Sequence, residues 1–221
     1  YQGGAERFLN TVGNRLEGCL PLPKLMWLRE HESETYARIR HVLISSKDYL
    51  IAQLTGECVG DVAACSTAGA MNIRNGQWDA ELCEAAGIDM TMLPHLHNPQ
   101  DNIGAVTESA AQRTGFFAGT AVYAGIGDAG ATTLASGVSH PCQYNINIGT
   151  SGWIATVSPE PFTDKPGAAN LAFGVEEGFV NAVPYLNAGD VHKWVTGVFA
   201  DGDYAEAHQL IETSKPGSNG V

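Results

Sequence analysis

The sequence is poor in basic residues and in charge of either sign. Its 221 residues include 12 Lys and Arg against 24 Asp and Glu, a formal net charge of −12, and only 16% are charged while 44% are hydrophobic. A nucleic-acid partner needs a clustered basic surface, so the composition argues against one. The charge is too low and the apolar fraction too high for a disordered chain, so a folded protein is expected.

Paired cysteines and long apolar segments are missing as well. The five cysteines are scattered and never spaced as C-x-x-C, which favours neither a disulfide framework nor a zinc site. There is no run of about 18 apolar residues and no secretory signal, so no membrane partner is expected. The simplest expectation is a cytoplasmic protein.

The first residue, Tyr1 in place of Met, suggests a piece of a longer chain. No metal site is predicted, because no third ligand lies near the pair His95 and His97.

Helical patterns alternate with short apolar segments through residue 152. Helices are predicted at residues 24–31, 33–40, 46–57, 79–87 and 107–115, and strands at residues 41–45, 121–124 and 145–148. This alternation favours an α/β sheet. β-rich segments follow, then helical patterns at residues 187–199 and 203–214. A domain change is predicted near residues 138–145.

Asp128 follows the apolar strand at residues 121–124, after a turn that contains Gly125 and Gly127. If that strand is buried, Asp128 lies at its carboxyl end, where ligands bind in open α/β sheets. The carboxylate could act as a general base that takes the proton of an alcohol during phosphoryl transfer. It could equally be the N-cap of the helix that follows. The two roles are compatible, because one oxygen can cap while the other accepts the proton.

Gly149, Thr150, Ser151 and Gly152 follow the predicted strand at residues 145–148. A turn of such small residues can bring backbone N–H groups against phosphate oxygens. Glycine and serine are also ordinary turn residues, so the turn alone is a weak signal. Its pairing with Asp128 is what favours phosphoryl transfer.

Two other carboxylates, Asp48 and Asp61, have a simpler interpretation. Their positions are typical of helix termini or of the protein surface.

Six segments together resemble the FGGY carbohydrate kinases, the family that includes xylulokinases, gluconokinases and glycerol kinases. The segments are PLPKLMWLREH, SKDYLIAQLTGE, GDVAACSTAG, NGQWDAELCEAAGI, AGIGDAGATTLASGV and NIGTSG. The resemblance implies an actin-like ATPase (ribonuclease-H-like) fold in two domains, with a sugar and Mg-ATP bound between them. Residues 1–140 would be the later part of the first domain, and residues 141–221 the beginning of the second.

The resemblance also assigns roles to individual residues. Asp128 takes the position of the catalytic base, which also contacts the sugar. Gly149, Thr150, Ser151 and Gly152 take the positions of the second phosphate loop. Gly189 and Lys193 match positions that approach the nucleotide in glycerol kinases, although Lys193 stands where that branch has glutamine. Ala129 replaces the Asn or Gln that often follows the base.

The implied function is ATP-dependent phosphorylation of a small sugar, sugar acid or polyol, with a xylulose-like sugar as the first expectation. Gluconate and glycerol kinases are alternatives within the family. A non-catalytic sugar-binding module is an alternative of another class, which the retained Asp128 disfavours. The family's first phosphate loop and its adenosine-binding segment have no counterpart between Tyr1 and Val221, so little activity is expected of this chain alone. An acidic chain fits a monomer or a homodimer equally.

Overall fold

Helices and strands alternate in the computed structural model, which describes residues 4–185 and 187–218. The helices are α1 (Gly4–Val12), α2 (Pro21–His31), α3 (Ser33–Tyr36), α4 (Ser46–Thr55), α5 (Val62–Cys65), α6 (Ala80–Ala86), α7 (Glu108–Thr114), α8 (Asp128–Ala135), α9 (Gly189–Phe199) and α10 (Tyr204–Glu212). A 3₁₀ turn spans Met90–Met92. The strands are β1 (Val59–Asp61), β2 (Met71–Asn72), β3 (Gln77–Trp78), β4 (His95–His97), β5 (Asn102–Ala105), β6 (Ala121–Tyr123), β7 (Tyr144–Ile148), β8 (Gly152–Ser158), β9 (Ala169–Ala172) and β10 (Phe179–Tyr185).

The described chain divides into two compact units. The first contains residues 4–145 and 155–182, and the second contains residues 146–154, 183–185 and 187–218. These two units are defined by how the chain packs and are not the two domains predicted from the family. A family domain boundary near residue 140 stays a prediction. None of the helices in residues 4–185 and 187–218 is long and apolar enough to cross a membrane.

Local capping signals place the ends of α6 and α7 where the sequence predicts them, whereas the helix predicted at residues 33–40 is only Ser33–Tyr36. Asp79 accepts the N–H of Leu82 at the start of α6, and Gly87 ends that helix in the left-handed conformation with φ 65°. Thr107 and Gly115 play the same two parts for α7. Glycine suits these ends because it has no Cβ to oppose a positive φ.

The strands form four small sheets in the described residues. β1 pairs in parallel with β4, β2 pairs with β3, β5 pairs antiparallel with β6, and the largest sheet has the order β7-β8-β10-β9. The strand expected at residues 41–45 is wrong: the segment forms no ladder, and Val42 only donates one backbone hydrogen bond to Met92 O (2.8 Å). The expectation that residues 121–124 form a buried strand is also wrong in part. β6 is an exposed strand of a two-stranded ribbon, so Asp128 does not lie at the edge of a buried parallel sheet.

Two apolar clusters lie in the core of the first unit. One joins α2 and α6 to the 3₁₀ turn, through Leu22, Leu25, Ala70, Cys83, Ala86, Ile88, Met92 and Leu93. The other packs α5 and β2 against the β9–β10 hairpin, through Val62, Cys65, Met71, Ile73, Ala172 and Phe179. Burial of these side chains supplies the main favourable free energy of folding of this unit.

Two buried asparagines join the N-terminal segment to strand β9. Asn14 Nδ2 donates to the carbonyl of Asn170 (2.8 Å) and to that of Ser66 (3.2 Å), while its Oδ1 accepts the N–H of Asn170 (2.8 Å). Asn170 Nδ2 donates in turn to Gly13 O (2.6 Å). The two side chains are 8% and 1% exposed, so their hydrogen bonds are sheltered from water. The amide pair therefore fixes segments that lie 156 residues apart.

We expect Asn14→Ala to lower the free energy of unfolding by about 1–3 kcal/mol, because it leaves buried backbone groups of Asn170 and Ser66 without partners. Urea denaturation followed by circular dichroism measures the change. Asn98→Ala is the matched control, since that side chain is exposed and a change within about 0.5 kcal/mol is expected there. Equal destabilisation by the two variants would contradict the role of the buried pair.

Candidate functional site

Asp128 is the first residue of α8 and is exposed to solvent. Its Oδ1 accepts the N–H of Ala129 (2.8 Å), whereas Oδ2 accepts no hydrogen bond from the described residues. The prediction that Asp128 is the N-cap of this helix is wrong by one residue. Gly127 is the N-cap, and Asp128 is the first residue of the helix. One carboxylate oxygen is thus bound to the first turn of α8, and the other is free to accept a proton.

The turn before Asp128 is fixed by backbone hydrogen bonds to a neighbouring loop. Ala124 N–H donates to Asp101 O (3.0 Å), and Gly125 N–H donates to Pro99 O (2.9 Å). Gly125 has φ 66°, a conformation that costs glycine little and other residues more. The chain can therefore leave β6 and reverse direction within a few residues.

A buried ion cluster lies beside this turn and was missed by the sequence interpretation. Lys47 Nζ lies 2.6 Å from Asp48 Oδ1 and 2.8 Å from Asp61 Oδ2, and both carboxylates are 0% exposed. Asp61 Oδ1 also accepts the N–H groups of Ala63 (2.9 Å) and Ala64 (3.0 Å), which caps α5. Both aspartates do lie at helix starts, as predicted, but neither lies on the surface. Two fully buried carboxylates share one ammonium group.

The charges of this cluster shift the pKa of its neighbours. Burial lowers the pKa of Lys47, but the hydrogen bond to Asp48, the close contact with Asp61 and attraction to both charges outweigh burial, so the pKa is raised overall. Burial also raises the pKa of Cys65 well above its usual value, and the negative charges of both aspartates add to that effect. Lys47 is therefore charged and Cys65 is a neutral thiol at neutral pH.

In the second unit, residues 149–151 form a tight turn between strands β7 and β8, and Gly152 begins β8. Gly149 N–H donates to Ser151 O (2.8 Å). Thr150 and Ser151 are exposed, and their backbone N–H groups donate no hydrogen bond within residues 4–185 and 187–218. A Cβ at Gly152 would lie 2.5 Å from Asn147 O, so only glycine fits there. Free N–H groups, two hydroxyls and little side-chain bulk make this turn suitable for phosphate oxygens.

The start of α9 holds this turn by its backbone. Gly189 N–H donates to Gly149 O (2.8 Å), and Ala188 N–H donates to Thr150 O (2.9 Å). A Cβ at Gly189 would lie 2.6 Å from Gly149 O, a backbone atom that no rotamer change can move. These N–H groups would otherwise lack acceptors at the helix start. The turn and α9 therefore form one rigid backbone arrangement, with the turn's carbonyls facing the helix.

The structure brings Gly189 together with the turn at residues 149–152, a contact that the sequence interpretation did not specify. Lys193 lies one turn further along α9, exposed and without a hydrogen bond or ion pair among the described residues. Asp128 belongs to the first unit and the turn belongs to the second.

One signal in the sequence could have located the ion cluster. Ser45 and Asp48 have the spacing of a capping box, and the Ser45 N–H does donate to Asp48 Oδ2 (3.0 Å). Nothing in the local pattern shows that Asp61 meets Lys47, because that pair depends on how α4 packs against β1.

Comparisons with known proteins agree on one family. A sequence profile described as the FGGY family of carbohydrate kinases, N-terminal domain, matches residues 1–135. A xylulose kinase of Bacillus subtilis is 27% identical over 218 residues, which cover 98% of this chain and 44% of that protein. A probable L-xylulose kinase of Pasteurella multocida is 32% identical over 207 residues, which cover 91% of this chain and 42% of that protein.

A solved structure gives the same result for the fold. The crystal structure of xylulose kinase from Rhodospirillum rubrum superposes with a TM-score of 0.88 at 27% identity, covering 98% of this chain and 45% of that one. The chain thus spans less than half the length of each of these proteins.

We expect Gly189→Ala to destabilise the second unit, although alanine favours helices, because its Cβ would press on the backbone of Gly149. Gly197→Ala is the matched control in the same helix: a Cβ there meets nothing within 4 Å. This control should gain about 0.5–1 kcal/mol from helix propensity alone. Thermal unfolding compares the two, and a Gly189→Ala protein as stable as the Gly197→Ala protein would contradict the close approach.

Proposed function

Because this chain belongs to the FGGY family of carbohydrate kinases, we propose that the protein transfers the γ-phosphoryl group of ATP to a hydroxyl of a small sugar, sugar acid or polyol. The chain forms part of the actin-like ATPase fold of that family. The observation that carries the proposal is the exposed Asp128, with one oxygen bound to the helix and the other free.

Asp128 is the general base in this proposal. Its free Oδ2 accepts the proton of the sugar hydroxyl. The hydroxyl oxygen attacks the γ-phosphorus of ATP, and ADP leaves. A carboxylate suffices as the base, because the transition state is loose and the proton leaves late. The position of Asp128 at the start of α8 holds its carboxylate in one orientation, because Oδ1 accepts the N–H of Ala129.

The turn of Gly149, Thr150, Ser151 and Gly152 is the proposed phosphate site. Its exposed N–H groups and hydroxyls would donate to phosphate oxygens, and the absence of side chains at the glycines allows close approach. Bound ATP supplies the phosphoryl group, and Mg²⁺ neutralises charge on the phosphates. Gly189 supports the turn through its backbone, and Lys193 is proposed to approach the nucleotide from the next turn of α9.

A xylulose-like sugar is the first candidate acceptor, because the relatives from Bacillus subtilis and Pasteurella multocida are named xylulose kinases. The proposed domain roles follow the same family: residues 1–140 would complete the first domain and residues 141–221 would begin the second.

The test is an ATP-coupled screen of the intact gene product against ketopentoses, gluconate, glycerol and hexoses. We expect Mg²⁺-dependent ADP formation with one class of acceptor, fastest with a xylulose-like sugar. The 221-residue chain alone serves as the comparison and should show little turnover. Sugar binding by the intact protein without ADP formation from any acceptor would favour a non-catalytic binding module and overturn the proposal.

Asp128→Asn in the intact protein should lower kcat by about 10²-fold or more while sugar binding persists, because the amide cannot accept the proton. Calorimetric titration with the sugar and steady-state kinetics give the two measurements. Glu108→Gln is the matched control, since Glu108 is the exposed first residue of α7 in the same unit. Near-wild-type turnover of Asp128→Asn, with only a lower melting temperature, would leave Asp128 as a helix-start residue and nothing more.

A further inference from the structure

We propose that the buried cluster of Lys47, Asp48 and Asp61 is a positioning device for Asp128, an inference that rests on the proposed role of Asp128 as base. The cluster lies within the first unit, as Asp128 does, and neither the family comparison nor the sequence interpretation assigns it a role. The device acts through the short helix α5 and through the stem of Lys47.

The first step runs from Asp61 to α5. Asp61 Oδ1 accepts the N–H groups of Ala63 and Ala64, so the first turn of α5 is held directly by this carboxylate. α5 has only four residues and cannot be stable by its own hydrogen bonds. Its position therefore depends on the cap and on the packing around it.

The second step runs from α5 to Asp128. A Cβ built at Gly127 would lie 3.6 Å from Ala64 Cβ and 3.9 Å from Ala64 N, so the residue before Asp128 lies close to the capped turn, with room for little more than a methyl group between them. A Cβ at Gly125 would lie 3.8 Å from Lys47 Cδ. The turn that carries Asp128 thus lies close both to α5 and to the Lys47 stem.

The third step is the demand of the buried charges for one geometry. Asp61 Oδ2 has its ion-pair contact with Lys47 Nζ at 2.8 Å but no aligned hydrogen bond, so it depends on that ammonium for charge compensation. Apolar side chains of the same volume could be as stable, but they would not restrict α4 and α5 to one relative position. Two fully buried carboxylates around one cation fix where α4 and α5 must lie.

The test compares Asp61→Ala with Asp79→Ala in the intact protein. Asp79 is the N-cap of α6 in the same unit, and its carboxylate also accepts a backbone N–H (2.9 Å), but it belongs to no ion pair in the described chain. Hydrogen exchange is read at the amides of residues 125–131. We expect exchange there to rise about tenfold in Asp61→Ala and to stay unchanged in Asp79→Ala, because only the first cap supports this turn.

Steady-state kinetics provide the second readout, at a temperature where circular dichroism shows both variants folded. Asp61→Ala should lower kcat about tenfold with the KM for ATP changed less than about twofold, because the base and not the nucleotide site is displaced. Asp61→Asn, which keeps an oxygen for Ala63 and Ala64 but loses the ion pair, should lie between wild type and Asp61→Ala in both readouts. If Asp61→Ala does not fold, Asp61→Asn against Asp79→Asn decides the question in the same way.

Unchanged exchange at residues 125–131 in the Asp61 variants would overturn the positioning role, and so would equal effects of the Asp61 and Asp79 variants. The exchange measurement does not depend on turnover. A wild-type protein that shows no ADP formation therefore refutes the proposed kinase activity while the support of the Asp128 turn is still decided.

Discussion

Two carboxylates buried without exposure to water share a single ammonium group, and much of the first unit is arranged to satisfy them. Lys47 brings the start of α4 to the cap of α5, and α5 in turn packs its apolar side into the cluster with β2 and the β9–β10 hairpin. Removing one partner from such a cluster leaves an uncompensated buried charge, which typically costs about 3–5 kcal/mol. The raised pKa of Lys47 means that the cation is retained at neutral pH and above. The cluster's contribution is therefore present below the usual lysine pKa, about 10.4, and is lost only as pH rises past the raised value.

The second unit achieves rigidity by a different route, through backbone atoms rather than charges. Glycine at 152 and at 189 allows the turn, β7 and α9 to approach within distances that no Cβ permits. The turn's carbonyls satisfy the first N–H groups of α9, which leaves the turn's own N–H groups at Thr150 and Ser151 for another acceptor. A phosphate group is the acceptor that we propose for this arrangement. The proposed base in one unit and the proposed phosphate turn in the other are each held by the element beside it.

Sequence patterns predicted the elements well where local chemistry decides them. Capping residues and terminal glycines placed α4, α6 and α7, and the small residues at 149–151 do form an exposed turn. The failures at the two strands have one cause: apolar periodicity does not show what a segment pairs with. Residues 41–45 are as apolar as a strand but find no ladder, and β6 pairs only with β5 at the surface. The burial of Asp61 is not visible in the sequence, because its ion-pair partner, Lys47, lies in a different element, α4. The roles of Asp128 and of the turn rest on the family resemblance as much as on their own residues.

We propose that Asp128 removes the proton from the sugar hydroxyl while the 149–152 turn holds phosphate oxygens. A crystal structure of the intact protein with a non-hydrolysable ATP analogue and the sugar that it phosphorylates tests this most directly. The account predicts Asp128 Oδ2 about 2.6–3.2 Å from one sugar hydroxyl, with the Thr150 and Ser151 N–H groups directed at phosphate oxygens. A sugar bound with every hydroxyl well beyond hydrogen-bond distance of Asp128, or phosphates held elsewhere than the turn, would contradict it.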